Sequence, residues 1–565
     1  MKFIQTCKKI IFSILLILSI SNISIAEKYK FSSNVKPVKK SVKLLSGCAP
    51  PTSSADLDIN NVRARIYNGG DMWWDLVANA RYEVPKVEPG SGQVSRHALY
   101  AASIWIGGID DANILRTAGQ TYRNNGAGYD FWPGGIDTSS GNIQPEDCIL
   151  YDKHYKIDAK EIDDFNNEGG NVPQSISSWP GNPFKPYQKT QAPFFDVDGD
   201  GKYNPKSFVP SDLIKSDYPN ILGDQAIWWV INDVGNTHTK YGGQPIGIEI
   251  QSLAFAFSTS DAIDNMTFYR YTLINRGSNS LNNTYMAQWT DADLGNAFDD
   301  YTGVDVDRSF GYVYNGDDID ETVSGYGANP PRVGIDFFEG PFSDFGDGLD
   351  NDRDGIIDEM DSLNGQLITE RIALSKFVYF NNEEGPRGDP RTDIQLYRYI
   401  TGNWSDGTPL TYGGTGYSTT SVDFADFAFP GTTDLKGRAE WSECTENNEV
   451  NDRRMIQSAG SFTLKPGAVN TITVGAVFAF GNNESPCSAN AMDALLAADD
   501  VAQALFDNNF KIPFQLKSAN KTSCLMSKCL MIFFLTVPNS TKTSSPEPIA
   551  IPSAKISLVN GKVVV

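Results

Sequence analysis

The stretch DGLDNDRDGIIDEMD, residues 347 to 361, crowds aspartates and one glutamate into a single short segment. Like charges at that density repel one another unless the segment stays solvated or wraps a cation. Its spacing matches a twelve-residue calcium loop, which supplies oxygens from positions 1, 3, 5, 7, 9 and 12 and needs glycine at 6 for a sharp turn. With Asp350 at position 1, Asp352 and Asp354 fall at 3 and 5, Gly355 at 6, the Ile356 carbonyl at 7, Asp358 at 9 and Asp361 at 12. Alternate residues of a tight loop turn their oxygens inward, and so many protein oxygens in a pliable loop suit Ca2+ better than Mg2+. Asp347, just upstream, is placed to share a second ion.

A second segment, DVDGDGKYNP from residue 196, sets Asp196, Asp198 and Asp200 at 1, 3 and 5, Gly201 at 6, the Lys202 carbonyl at 7 and Asn204 at 9. Position 12 is Ser207 and Pro205 blocks an exiting helix, so a closing acid must come from elsewhere, with Asp212 as the candidate. The first segment resembles EF-hand loops and thrombospondin type 3 repeats, in which neighbouring ions share carboxylates; the second resembles a dockerin loop. A third cluster, Asp291, Asp293, Asp299, Asp300, Asp305 and Asp307, lacks loop spacing and reads first as turn aspartates bonding their own backbone. Millimolar extracellular calcium would add about 1 to 2 kcal/mol per site, which suits a structural brace rather than a signalling switch.

Signs of catalysis are sparse. His97, His154 and His238 are the only histidines, none in a zinc spacing, and there is no nucleophile elbow or phosphate loop. A glycosidase needs only two carboxylates a few ångströms apart, which an acidic chain offers many times over. The tryptophans sit mostly inside apolar runs and belong in β cores, whereas GGDMWWD, with Trp73 and Trp74 beside turn residues, is the candidate binding surface.

These residues need elements to hold them. Lys2, Lys8 and Lys9 ahead of an apolar run and a small-residue cleavage site make residues 1–26 a signal peptide. Residues 27–50 read as a basic linker. The chain carries a net charge of −22, more negative once the signal is removed, which repels nucleic acid and anionic membranes and attracts cations. No later segment is long and apolar enough to span a membrane. In an oxidising compartment Cys444 and Cys487 are candidates for a bridge, with free buried thiols as the alternative.

From 51 to 345, short apolar runs alternate with Gly, Asn and Asp turns. TFYRYTLIN puts Phe268, Arg270, Thr272 and Ile274 on one face and Tyr269, Tyr271, Leu273 and Asn275 on the other. A second β block covers 362–511 and closes with a helix over 490–510, started by Asn490 and Asp493, its stripe formed by Met492, Leu495, Leu496, Ala502, Leu505 and Phe506. The fold predicted is mainly β: a multi-domain antiparallel β-sandwich with calcium loops inserted at 196–207 and 346–361 and one C-terminal helix. Residues 512–565, with Glu547 as their only acid, read as an atypical tail.

GDQAIWWVIND, FYRYTLINRG, WTDADLG, DDYTGVDVDRSFGYVYNGDD, YGGTGY and DRRMIQSAGSFTLKPG together resemble a group of large, uncharacterised secreted proteins of Bacteroidetes-type bacteria. The resemblance spans about 51 to 510. It implies a cell-surface or extracellular location reached by type IX secretion, although 512–565 does not match the sorting domain that such proteins carry at their C-terminus. Without that domain the location expected is the periplasm. The expectation is an exported, calcium-braced protein for adhesion, structure or the binding of a polysaccharide or cell-surface ligand. Its alternative is a polysaccharide-degrading hydrolase using a carboxylate pair.

Overall fold

In strand Gln225–Asn232, Ile227, Trp229 and Ile231 enter one apolar cluster while Ala226, Trp228 and Val230 enter another. Successive side chains of a strand point to opposite faces, so a run apolar at every position must be covered on both. Thr267–Asn275 divides as its alternation predicts, with Tyr269, Tyr271 and Leu273 in the first cluster and Phe268 in the second.

The computed structural model describes residues 47–123, 128–212, 215–363 and 366–512, with 361–363, 366, 367, 557–559 and 562–564 as backbone only. The signal peptide, nearly all of the linker and most of the tail lie outside the described residues. Within the tail, Ser557–Val559 pairs antiparallel with Lys562–Val564.

The fold is mainly β, and every pairing between named strands is antiparallel. A ten-stranded sheet runs Lys376–Asn381, Arg453–Leu464, Leu281–Asp291, Ala101–Asp110 and on to shorter strands near the N-terminus. A nine-stranded sheet runs Asp300–Asp305, Phe310–Asn315, Arg332–Glu339, Val469–Ala479, Thr267–Asn275, Ile248–Ala256 and Gln225–Asn232. The first apolar cluster joins the two, for example Trp105 and Trp289 of one sheet with Trp229 and Tyr271 of the other. Segments 51–345 and 362–511 therefore contribute neighbouring strands to both sheets.

The far face of the nine-stranded sheet is covered by the helix Asp493–Asp507, through Leu495, Ala498, Ala502 and Leu505. This is the helix the sequence predicts, but its N-cap is Met492 and no side chain caps it; Asn490 contributes its backbone carbonyl. Further helices include Ala159–Glu168 and Asp393–Ile400, the latter capped by Thr392. Gly107 and Gly119 let Tyr397 and Leu396 of that helix approach the ten-stranded sheet, since a Cβ at Gly119 would stand 2.5 Å from Leu396 Cδ1.

Among the described residues, no helix is long and apolar enough to cross a membrane. Cys444 and Cys487 are bonded, and so are Cys48 and Cys148, a pair the sequence did not single out. All ten tryptophans are buried. This overturns GGDMWWD as a binding surface: Trp73 and Trp74 are each 1 % exposed, their indole N–H groups donating to the Tyr269 hydroxyl and to Asp71.

Candidate metal centre

The loop from 346 to 359 leaves strand Arg332–Glu339 of one sheet and leads, through the hairpin Met360–Leu363/Gln366–Thr369, to strand Lys376–Asn381 of the other. It is a crossover between layers, fastened at its centre. The Arg353 guanidinium donates to the Leu374 carbonyl (3.3 Å) and the Ser309 hydroxyl (2.9 Å), and the Asn351 carbonyl accepts from Ala373 (2.9 Å).

Inside the loop, the Gly355 amide donates to Asp350 (3.0 Å) and the Ile356 amide to Asp354 (2.8 Å). Gly355 has φ +97°, a left-handed conformation that the turn at position 6 requires and that a Cβ penalises. The second loop makes the same pair of bonds. There the Gly201 amide donates to Asp196 (2.8 Å) and the Lys202 amide to Asp200 (2.7 Å), with Gly201 at φ +77°. Matching contacts follow from matching spacing, because an acid at position 1 and a glycine at 6 fold back on one another.

The acids of the first loop gather in three groups, each with oxygens within 4.8 Å of one another: Asp350, Asp352 and Glu370; Asp347, Asp358 and Glu370; Asp352, Asp354 and Glu359. Glu370, 6 % exposed, belongs to two of them and was invisible to the spacing argument because it lies beyond the hairpin. It is fixed by the Asn351 backbone amide (3.0 Å) and side-chain amide (3.3 Å). One oxygen of Asp350 is buried with no hydrogen-bond partner, an acceptor a cation would satisfy. Burial first, then the charges of Asp354, Glu370 and Asp350, holds the Asp352 carboxyl above its ordinary value against an opposing amide from Asp354. Glu359 is raised too, by desolvation and then by Asp352, Asp354, Glu370 and Asp350. The Asp361 side chain lies outside the described residues; its backbone pairs with Ile368 in the hairpin. Ile356 is exposed.

In the second loop Asp196 and Asp198 meet Asp217. Asp217, 2 % exposed, accepts the amides of Val197 (2.8 Å) and Asn204 (2.9 Å), and so takes the closing place expected for Asp212. Asp212 is engaged in its own turn, accepting from the Val209 amide (3.0 Å). Asp200 stays outside the group and accepts from the Asn204 side chain (2.9 Å), while Lys202 is exposed and Lys206 lies 3.4 Å from Asp198. Three carboxylates, those of Asp196, Asp198 and Asp217, come close enough together to hold a hard cation through oxygens.

The third cluster is redistributed. Asp291 and Asp293 meet Asp452, but Arg454 lies between, 3.4 Å from Asp291 and 2.8 Å from Asp452, and the Tyr122 hydroxyl donates to Asp291. Burial pushes Asp291 up to about 6 against the pull of Arg454. This is a buried ion-pair network. The histidines are hydrogen-bonded, as with His238 Nε2 to the Asp233 carbonyl (2.7 Å) and His154 Nδ1 to Ser53 (2.9 Å); His238 also lies 3.9 Å from Asp130 and 4.0 Å from the Asp233 carboxylate, but among the described residues no histidine belongs to the acidic groups above.

No protein-family model matches the sequence, and no curated protein matches it.

Proposed function

We propose that the chain is an exported surface or extracellular protein of the Bacteroidetes type that binds a polysaccharide or cell-surface ligand and is braced by calcium. The supporting observation is that each loop, read from spacing alone as a calcium site, closes on a buried acid from outside itself, Glu370 in one case and Asp217 in the other. Burial and neighbouring carboxylates raise the proton affinity of Asp352 and Glu359 in the first loop, and a divalent cation would reverse this by stabilising the ionised forms. The first site ties the crossover between sheets. The second stiffens the connection between Phe194–Phe195 and Tyr218–Pro219.

The test is thermal melting of the purified protein with calcium, with chelator, and as the triple variant Asp350→Ala, Asp352→Ala, Asp354→Ala. Calcium is expected to raise the melting temperature, and the triple variant to lose most of that rise. A melting temperature indifferent to calcium and chelator would remove the brace from the account.

A further inference from the structure

A cleft of about 450 Å3 opens where strands Phe310–Asn315 and Arg332–Glu339 meet the segment 483–486. That volume lies within the ~300 to 1,000 Å3 of ligand clefts. None of its residues belongs to the acidic groups above.

Arg332 lines the cleft and is 3 % exposed. It makes no ion pair among the described residues; its guanidinium donates to the carbonyls of Pro330 (3.4 Å) and Glu484 (3.1 Å), and Nε has no hydrogen-bond partner. A buried guanidinium with five donors ordinarily meets a carboxylate or a full set of acceptors. This one is left short. Asp317, Asp318 and Glu484, all exposed, also line the cleft, while Ile319 and Ala328, both exposed, add apolar surface.

This charge arrangement selects among ligands. An anion drawn to Arg332 must pass three carboxylates in a strongly acidic protein, and a cation drawn to those carboxylates meets a guanidinium that none of them pairs directly. A neutral ligand whose hydroxyls both donate and accept satisfies both. We propose that the cleft binds a hexose unit of a neutral polysaccharide, with Arg332 donating to adjacent hydroxyls, Asp317 and Asp318 accepting from others, and a C–H face of the ring resting on Ile319. The Cys444–Cys487 bond stiffens one wall, since Cys487 follows the lining residue Pro486. The proposal rests on the reading of the chain as a binding protein, not on the calcium loops.

The test is calorimetric titration with neutral glucose, mannose and galactose oligosaccharides, with oligogalacturonate and inorganic phosphate as anionic comparators, each in calcium and in chelator. The wild type is compared with Arg332→Lys, which keeps the charge and loses the fork, and with Ser485→Trp, which fills the cleft from an exposed position. At least one neutral series is expected to bind saturably and to weaken at least about tenfold in both variants, in Arg332→Lys through loss of a bidentate hydrogen bond to a charged donor and in Ser485→Trp through occupation of the cleft. Should Arg332→Lys melt early, Ser485→Trp decides alone. Absence of neutral binding, undiminished affinity in Ser485→Trp, or tighter binding of an anion overturns the proposal. Saccharide binding without any calcium effect on melting would sink the brace and leave the cleft standing; the reverse result would do the opposite.

Discussion

At Glu370 a single buried carboxylate is shared between two groups of loop acids and held there by Asn351. Replacement by glutamine keeps the shape and, through its one oxygen, the bond from the Asn351 backbone amide, gives up acceptance from the Asn351 side chain, and removes one charge from both groups. Without metal, Glu370→Gln is expected to melt at or slightly above the wild-type temperature, because like-charge repulsion is relieved. With calcium it is expected to need about tenfold more ion to reach half of the stabilisation, since ligand charge sets affinity in such loops. Isothermal titration and melting in parallel check this, and an unchanged calcium midpoint would show that Glu370 is no ligand. Acid should act in the same direction: the carboxylates must be ionised to hold the metal, so the calcium-dependent rise should shrink as pH falls below about 5. The loops were legible because their pattern is local, with acids at alternate positions and a glycine at the turn. Glu370 and Asp217 were not, since each reaches its loop through tertiary folding. Spacing also named Asp212 as the closing acid of the second loop, where the fold instead brings Asp217 to Asp196 and Asp198.

The long strands were legible for the same reason, since a period of two is written in adjacent residues such as Phe268 to Leu273. Ala159–Glu168 was not: only Ile162 and Phe165 are buried in an otherwise polar, turn-like sequence. The C-terminal helix was read correctly as a helix packed on a sheet, but its buried stripe contains an acid the pattern ignored. Asp499 of that helix faces Asp336 of strand Arg332–Glu339, and each is 1 % exposed. Burial first, then the Asp499 charge, drives Asp336 well above its ordinary value, and burial pushes Asp499 up to about 7, with Arg308 opposing and Asp500 and Asp305 adding to the rise. A carboxyl whose native value is raised binds more protons folded than unfolded, so the contribution of Asp499 to stability is complete below about pH 4 and is lost as pH rises through about 7, and that of Asp336 is lost in the same direction. Asp336→Asn should therefore melt about 1 to 3 °C above wild type at pH 8 and close to it at pH 5. A variant less stable than wild type at pH 8 would show that the pair is held by an interaction other than a shared proton.

Across the whole molecule, the sheets decide what can fold alone. Val469–Ala479 lies between Thr267–Asn275 and Arg332–Glu339, and Arg453–Leu464 lies between Leu281–Asp291 and Lys376–Asn381. Removing everything after residue 345 would open an edge on both sheets and strip Tyr269 and Tyr271 of the neighbouring Val474 and Ile472 with which they pair. Unpaired strands of that length, apolar on both faces, aggregate before they pack. A fragment of residues 51–345 is thus expected to give no cooperative melt and to precipitate, and 362–511 to behave likewise, whereas the intact chain should unfold in a single transition by calorimetry and circular dichroism together. On the calcium-brace proposal, the ion would enter this behaviour through the 346–359 crossover, which joins the two blocks without separating their cores. Chelation should lower the temperature of the one transition and leave it single. A second, independent transition on chelation, or a soluble 51–345 fragment with its own cooperative melt, would mean that the interleaved strands do not couple the sheets in folding.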